Sequence, residues 1–313
     1  MSRLPGVTVV GSLHTDLIVS ADVLPNLGTS VLGDRFTVAP GGKAANQAAQ
    51  LARLGMRSWL VSAVGQDALG EQVTDELQAS GVDITFVERL SDRATGASVV
   101  IAVGGEYASV IVPGAAATMT ARMLRQAASA IVQSMFVVAQ LELGAAFAES
   151  TLRVAKEQTA TTVLNVSPID GVDPANIYRA ISMADVVVVN RHEASMLAGC
   201  PVMDMEQTVA AASFIAQLEG PSVVVVTCGA DGVVLVRDRE VAVQDAFAVN
   251  VADTVGAGDA FLGGLLAGWC EGRNDREALR LGAAAGALCA SGHGAFRSLP
   301  DRQQVRAFLD SMA

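Results

Sequence analysis

The chain has 313 residues, 51% of them hydrophobic and only 4% aromatic, so its core must be built from Val, Leu, Ile and Ala, as in layered α/β folds. Its 21 basic and 32 acidic side chains give a net charge of −11, which argues against nucleic acid or an anionic membrane as the main partner. No uninterrupted apolar stretch reaches membrane-spanning length, because Gly, Arg or Glu breaks each one.

The first strand-like run, Val7–Val10, comes so early that no room is left for a secretory signal. The four cysteines (Cys200, Cys228, Cys270, Cys289) are widely spaced without a C-x-x-C pair and read as buried free thiols of a soluble cytoplasmic protein. Further strand candidates are Ser58–Val64, Met135–Ala139, Thr162–Asn165, Asp185–Val189 and Ser222–Thr227. Amphipathic stretches such as Ala44–Leu54, Ala121–Ile131, Ala145–Glu157 and Met205–Leu218 separate them. Nearly continuous apolar strands alternating with helices predict a mainly parallel sheet covered on both faces. Two short strands (Gly232–Val236, Val241–Gln244) and three helices starting near Gly258, Asp275 and Asp301 complete the chain.

Two regions break the alternation. Residues 14–39 carry apolar side chains at short spacing with Pro25, Gly28 and Gly33, and residues 94–112 read as a β-hairpin turning at Gly104-Gly105-Glu106. Both are expected to pair into a small separate sheet, a lid over one end of a single domain spanning 1–313. Apolar outward faces at Val31, Val99, Val100 and Ile101 leave open either a homodimer through that lid or packing within one chain.

The most informative run is Asp253-Thr254-Val255-Gly256-Ala257-Gly258-Asp259, three small residues and a carboxylate entering an apolar helix. Free N–H groups at such a helix start, together with the helix dipole, favour an anion. An aspartate there can take a proton from an alcohol, so anion cradle and base together suggest phosphoryl transfer to a hydroxyl. The same turn would serve equally as a plain helix start with Asp259 as N-cap. A second Gly-rich element, Gly41-Gly42-Lys43-Ala44-Ala45-Asn46, opens the helix from Ala44, with Asn46 and Gln47 expected to face outward. It lacks the spacing of a phosphate-binding P-loop, and no G-x-G-x-x-G follows the first strand.

Together with Gly11-Ser12-Leu13-His14-Thr15-Asp16 and Asn190-Arg191-His192-Glu193, these two runs resemble, in order and spacing, the ribokinase-like family of sugar kinases over essentially the whole chain. The resemblance implies a three-layer α/β sandwich, a mainly parallel central sheet with helices on both faces and a small β-lid. It further implies ATP-dependent phosphorylation of a primary hydroxyl of a small sugar, D-ribose first, with deoxyribose, a hexose derivative or a nucleoside as alternatives. A sugar-binding sensor on a kinase fold is the alternative without turnover.

Residue by residue, the resemblance makes Asp259 the base and Gly256, Ala257 and Gly258 the anion hole. Asp16 would grip two sugar hydroxyls, with Gly42, Lys43, Asn46 and Glu142 as further sugar contacts. Asn190 and Glu193 would organise Mg²⁺ and the ATP phosphates. Thr227, Gly229, Asp231 and Gly232 would line the nucleotide. Asp253 and the carbonyls of Val255, Cys289, Gly292, Gly294 and Ser298 fall where the family holds a monovalent cation, K⁺. His14 stands where the family usually has Asn, and Ala44 where Gly is common, which bears on the identity of the sugar rather than on the reaction.

Overall fold

The Val-rich runs pair as strands, and the amphipathic runs between them form helices. The computed structural model describes residues 6–103 and 106–312. In chain order it begins with β1 (Gly6–Val10), β2 (His14–Ala21), β3 (Gly33–Gly41), α1 (Lys43–Arg53), β4 (Ser58–Gly65), α2 (Ala68–Ala79) and β5 (Asp83–Leu90). Next come β6 (Thr95–Val103), β7 (Glu106–Gly114), α3 (Ala121–Gln126), α4 (Ala128–Val132), β8 (Ser134–Gln140), α5 (Ala145–Glu157), β9 (Thr161–Asn165) and α6 (Pro174–Ser182). Then follow β10 (Val186–Asn190), α7 (Arg191–Ala198), α8 (Met205–Ile215), β11 (Val223–Thr227), β12 (Val233–Arg237) and β13 (Glu240–Gln244). The chain closes with α9 (Ala257–Cys270), α10 (Asp275–Ala290), α11 (Ala295–Ser298) and α12 (Arg302–Ser311).

Nine strands form the main sheet in the order β13-β12-β11-β10-β9-β8-β1-β4-β5. Neighbours from β11 to β5 run parallel, and β12 and β13 add antiparallel at one edge. Successive side chains of a strand point to opposite faces, and the core divides accordingly. Val186 and Val188 of β10 pack with Leu262, Leu265 and Leu266 of α9 and with Ala45 and Ala49 of α1. Val187 and Val189 pack with Leu152 of α5, Ile181 of α6 and Ile215 of α8 on the other face. Burying both faces with branched side chains is what makes a parallel sheet stable, at roughly 25 cal/mol per Å² of apolar area removed from water.

Helices α9 and α10 meet along a seam where glycines and Ala278 let the backbones approach closely. A Cβ on Gly264 would lie 2.8 Å from the Cα of Gly282, and one on Gly268 would lie 2.8 Å from the Cα of Ala278. Only residues this small let the two backbones touch, and α9 carries the Gly256–Asp259 turn at its start.

The second sheet has the order β3-β2-β6-β7. Strands β2 and β6 pair in parallel and the other neighbours antiparallel. Its register puts Leu17 beside Val38 and Val99, and Val99 beside Val110, so these apolar side chains share one face. Asp16, paired with Ala39 and Ser98, points to the other. Val99 and Ile101 lie on the apolar face and Val31, just before β3, is exposed, whereas Val100 belongs to the Asp16 face, so the expected outward set is corrected at Val100.

One further expectation is modified, one strand is added and one expectation is not reached by the described residues. The stretch Ala121–Ile131 is two short helices broken at Ala127. The edge strand β5 was not singled out, because Asp83, Glu88 and Arg89 make it half-buried and polar. The turn expected at Gly104-Gly105 falls outside the described residues.

Candidate active site

Parallel strands point their carboxyl ends to one edge of the sheet, where α/β folds bind ligands. Gln140 ends β8, Asn165 ends β9, Asn190 ends β10 and Thr227 ends β11, all at this edge. Helix α1 starts there too. Its N-cap, Gly42, has φ +99°, and a Cβ would meet the carbonyl of Ser12 at 2.6 Å. Both the backbone sign and the space call for glycine. No side chain of the cap residue satisfies the helix start; instead Glu142 accepts from the backbone N of Lys43 at 2.8 Å and from the hydroxyl of Ser12. Glu142 therefore joins the ends of β1 and β8 to the start of α1.

A side chain on Gly41 would overlap the Asp16 carboxylate, so Asp16 lies directly over this turn. His14 is 5% exposed and its Nε2 stands 3.2 Å from Asp16 Oδ1. The imidazole thus engages one of the two oxygens expected to bind hydroxyls.

The carboxylate of Asp259 lies in the first turn of α9, but it is not a cap. The N-cap is Gly256, with φ +83° and no side-chain cap bond. Asp259 is buried and accepts from Asn46 Nδ2 at 3.1 Å and from Gln47 Nε2 at 2.8 Å. Asn46 and Gln47 are 5% and 1% exposed, so the expectation that they face outward is overturned: they turn inward to solvate a buried charge. Gln47 also donates to Asn165 Oδ1 at 3.2 Å and accepts from Gln140 Nε2 at 2.6 Å. Among the described residues the Oδ1 of Asn46 is buried without a partner, an open acceptor beside the carboxylate. Burial pushes the Asp259 carboxyl above its ordinary value; the Lys43 charge and the Gln47 and Asn46 amides oppose the rise, and Glu142 adds to it.

The other end of the site is built on β10 and β11. Asn190 Oδ1 accepts from Glu193 N at 2.9 Å, and Glu193 Oε2 accepts from Asn190 N at 2.7 Å, a reciprocal cap of α7. Glu193 is buried, which pushes its carboxyl up, against Asn190, Ser167, Lys43 and His192. Thr227 leads into a short turn, Gly229–Asp231, followed by Gly232. The Lys43 charge acts on both Asp259 and Glu193, so the two ends share one cation.

Behind the Gly256–Gly258 turn, Asp253 Oδ1 accepts from Val255 N at 2.9 Å and Oδ2 from Gly294 N at 3.0 Å. Gly256 presses on α11, where a Cβ would lie 2.8 Å from the Cα of Ala295. The carbonyl of Cys289 accepts from Gly292 N at 3.1 Å, that of Gly294 from Ser298 N at 3.3 Å, and Arg297 donates to the carbonyl of Val38 in the small sheet at 3.0 Å. A separate cavity of about 810 Å³, lined by Arg53, Ser80, His293 and Arg297 among others, does not include Asp16, Asn46 or Asp259.

Sequence reasoning gave no site role to Ser12, Gln47, Gln140 or Asn165. Their only sequence signal is a polar side chain at or just past the end of an apolar strand, or in the first turn of a helix opened by glycines.

A parallel α/β sheet whose edge carries a glycine-led helix start and a buried, donor-held carboxylate is a setting suited to phosphoryl transfer to an alcohol. The chain belongs to the pfkB family of carbohydrate kinases, whose model matches residues 5–302. It is 32% identical to the ribokinase of Haemophilus influenzae over 304 residues, 97% of this chain and 98% of that protein. It is 28% identical to the deoxyribokinase of Salmonella typhi over 310 residues, 97% of this chain and 98% of that one. Among solved structures, the Arabidopsis thaliana ribokinase complexed with ribose and ATP superposes with a TM-score of 0.88 at 29% identity, covering 98% of this chain and 99% of that chain.

Proposed function

We propose that this sugar kinase transfers the γ-phosphoryl group of ATP to the 5-hydroxyl of D-ribose. The observation that carries the reading is the buried Asp259 carboxylate, held by two amides beside the open acceptor of Asn46. The sugar O–H donates to Asp259, the oxygen attacks the γ-phosphorus, ADP leaves, and the proton rests on Asp259. The N–H groups of Gly256 and Gly258 take the charge developing on the phosphoryl oxygens, joined by that of Ala257, which donates to the Thr254 carbonyl at 3.2 Å and would be shared between the two acceptors. Asp16 binds vicinal hydroxyls, with His14 setting its orientation, and Gly42, Lys43, Asn46 and Glu142 complete the sugar site. Thr227, Gly229, Asp231 and Gly232 line the nucleotide.

Mg²⁺ would neutralise charge on the phosphates when bound. Asn190 and Glu193 fit a water-mediated role, since one Glu193 oxygen is already committed to Asn190 N. A K⁺ ion at Asp253 and the carbonyls of Val255, Cys289, Gly292, Gly294 and Ser298 would stiffen a loop that Asp253 already ties to Gly294. Residues 14–39 and 94–112 act as the lid of one kinase unit, 1–313, in the cytoplasm. The apolar face of Leu17, Val38, Val99 and Val110 joins two copies; Val110 is 68% exposed.

Steady-state assay with ATP and Mg²⁺ on ribose, deoxyribose, a hexose and uridine tests the reading. Ribose should give the highest kcat/KM, and Asp259→Asn should lose at least about 10²-fold in kcat with sugar binding retained. Higher kcat/KM on deoxyribose would select the runner-up substrate, and sugar binding without turnover would leave a sensor.

A further inference from the structure

We infer that Gln140 and Gln47 form a positioning relay that fixes the Asp259 carboxylate for proton transfer. The inference rests on Asp259 acting as base, as proposed above. An amide carries donors on one end and an acceptor on the other, so its partners decide which way it faces. Gln47 stands among three polar groups on three other elements. Its Nε2 lies 2.8 Å from Asp259 Oδ1 of α9 and 3.2 Å from Asn165 Oδ1 at the end of β9, and its Oε1 lies 2.6 Å from Gln140 Nε2 at the end of β8. An ionised carboxylate can only accept, so Gln47 must present its NH₂ to Asp259.

Gln140 locks that orientation. Its own NH₂ occupies the acceptor end of Gln47, so a flipped Gln47 would set donor against donor there and acceptor against acceptor at Asp259. Gln140 is held in turn, being 3% exposed and packed at Gly11, where any side chain would overlap its Oε1. Asn46 contributes the second bond to Asp259, its sense set by that carboxylate alone, since its Oδ1 has no partner among the described residues; only Gln47 is also oriented from a further element. The directional constraint on the base therefore comes from β8 through Gln47. The charged and titratable groups facing Asp259 are Lys43, which favours its ionised form, Glu142, which opposes it, and the thiol of Cys289, pushed up to about 12 mainly by burial and so neutral.

Isosteric apolar substitutions separate a relay from mere packing. Gln47→Met should lower kcat about 10–100-fold and Gln140→Met about 3–10-fold, with both KM values within about twofold, because geometry at the reacting centre is lost while substrate contacts remain. The Gln47→Met/Gln140→Met double variant should be no worse than Gln47→Met alone, since both act through one chain. The acid limb of the kcat profile should move to higher pH in both, as a buried carboxylate losing a donor is harder to ionise. Additive losses, or an unmoved acid limb, would overturn the relay.

An activity-independent measurement distinguishes this inference from the reading beneath it. The side-chain NH₂ signals of Gln47 in ¹⁵N-labelled protein, assigned by their absence in Gln47→Met, should move in Gln140→Met and in Asp259→Asn. Signals that stay put in Gln140→Met sink the relay whatever the kinetics. Signals that move, in a protein that phosphorylates no sugar, leave the relay standing and remove the proposed function.

Discussion

Arg191 and Asp231 form an ion pair, Nη1 to Oδ2 at 2.7 Å, that clips the start of α7 to the turn after β11. The sequence assigned Arg191 no role. The pair is part-exposed, with side chains at 24% and 55%, so its worth is at most about 1 kcal/mol. Arg191→Ala should therefore raise the KM for ATP no more than about fivefold, with the sugar KM unchanged, and the effect should shrink at high salt. Steady-state kinetics at two ionic strengths check this, and a changed sugar KM would disprove the division of the site.

Gly41→Ala should abolish sugar recognition without unfolding the protein. The added methyl would occupy the space of the Asp16 carboxylate at the joint between the small sheet and α1. Calorimetric sugar affinity should fall about a hundredfold, with ATP binding intact. Retained sugar affinity would place the hydroxyl-binding role elsewhere than Asp16.

Asp259→Asn should be more stable than the parent at pH 7.5. The fold raises this carboxyl's pKa chiefly by burial, so the folded chain binds a proton more readily than the unfolded one. Stability from such a group is full below the unfolded value, near 3.9, and is lost as pH rises through the raised folded value. Asparagine carries no charge to bury, and Asn46 can turn its unpartnered Oδ1 toward the new NH₂. A Tm higher by about 1–4 °C is expected at pH 7.5, narrowing as pH falls below the folded pKa. A lower Tm at pH 7.5 would show that the lost hydrogen bonds outweigh the relieved desolvation.

The thiols should separate in reactivity. Burial pushes Cys270 and Cys289 to about 12, and Cys228 is buried, whereas Cys200 is exposed, which corrects the expectation that all four thiols are buried. Iodoacetamide at pH 8 should modify Cys200 first and leave the others until the protein unfolds, read by peptide mass spectrometry.

The sheet was legible because Val runs bounded by polar residues have few other fates, and β10 and β11 follow their runs to within a residue. Strand β5 was not, since an edge strand buries only part of each face and its charges erase the alternation. At the site, Asp259 and Asn46 stood out through their glycines, yet the sequence could not show that they touch across a separation of 213 residues. Gln140 and Asn165 were invisible as a set: each ends a different strand, and only the parallel register at Gln140↔Asn165 brings them together. The Asn190–Glu193 spacing, read for Mg²⁺ and phosphates, equally suits a helix start, and the reciprocal cap is the part of it the fold uses directly.

The glycine seam between α9 and α10 has a mechanical consequence. Two bare backbones in contact at Gly264 and Gly282 leave no side chain to rotate aside, so the front of α9 is seated on a hard stop. Gly264 lies five residues beyond Asp259, about 7–8 Å along the helix axis. A wedge as small as one methyl there would tilt the front of the helix by tenths of an ångström and detune proton transfer from a position no ligand reaches.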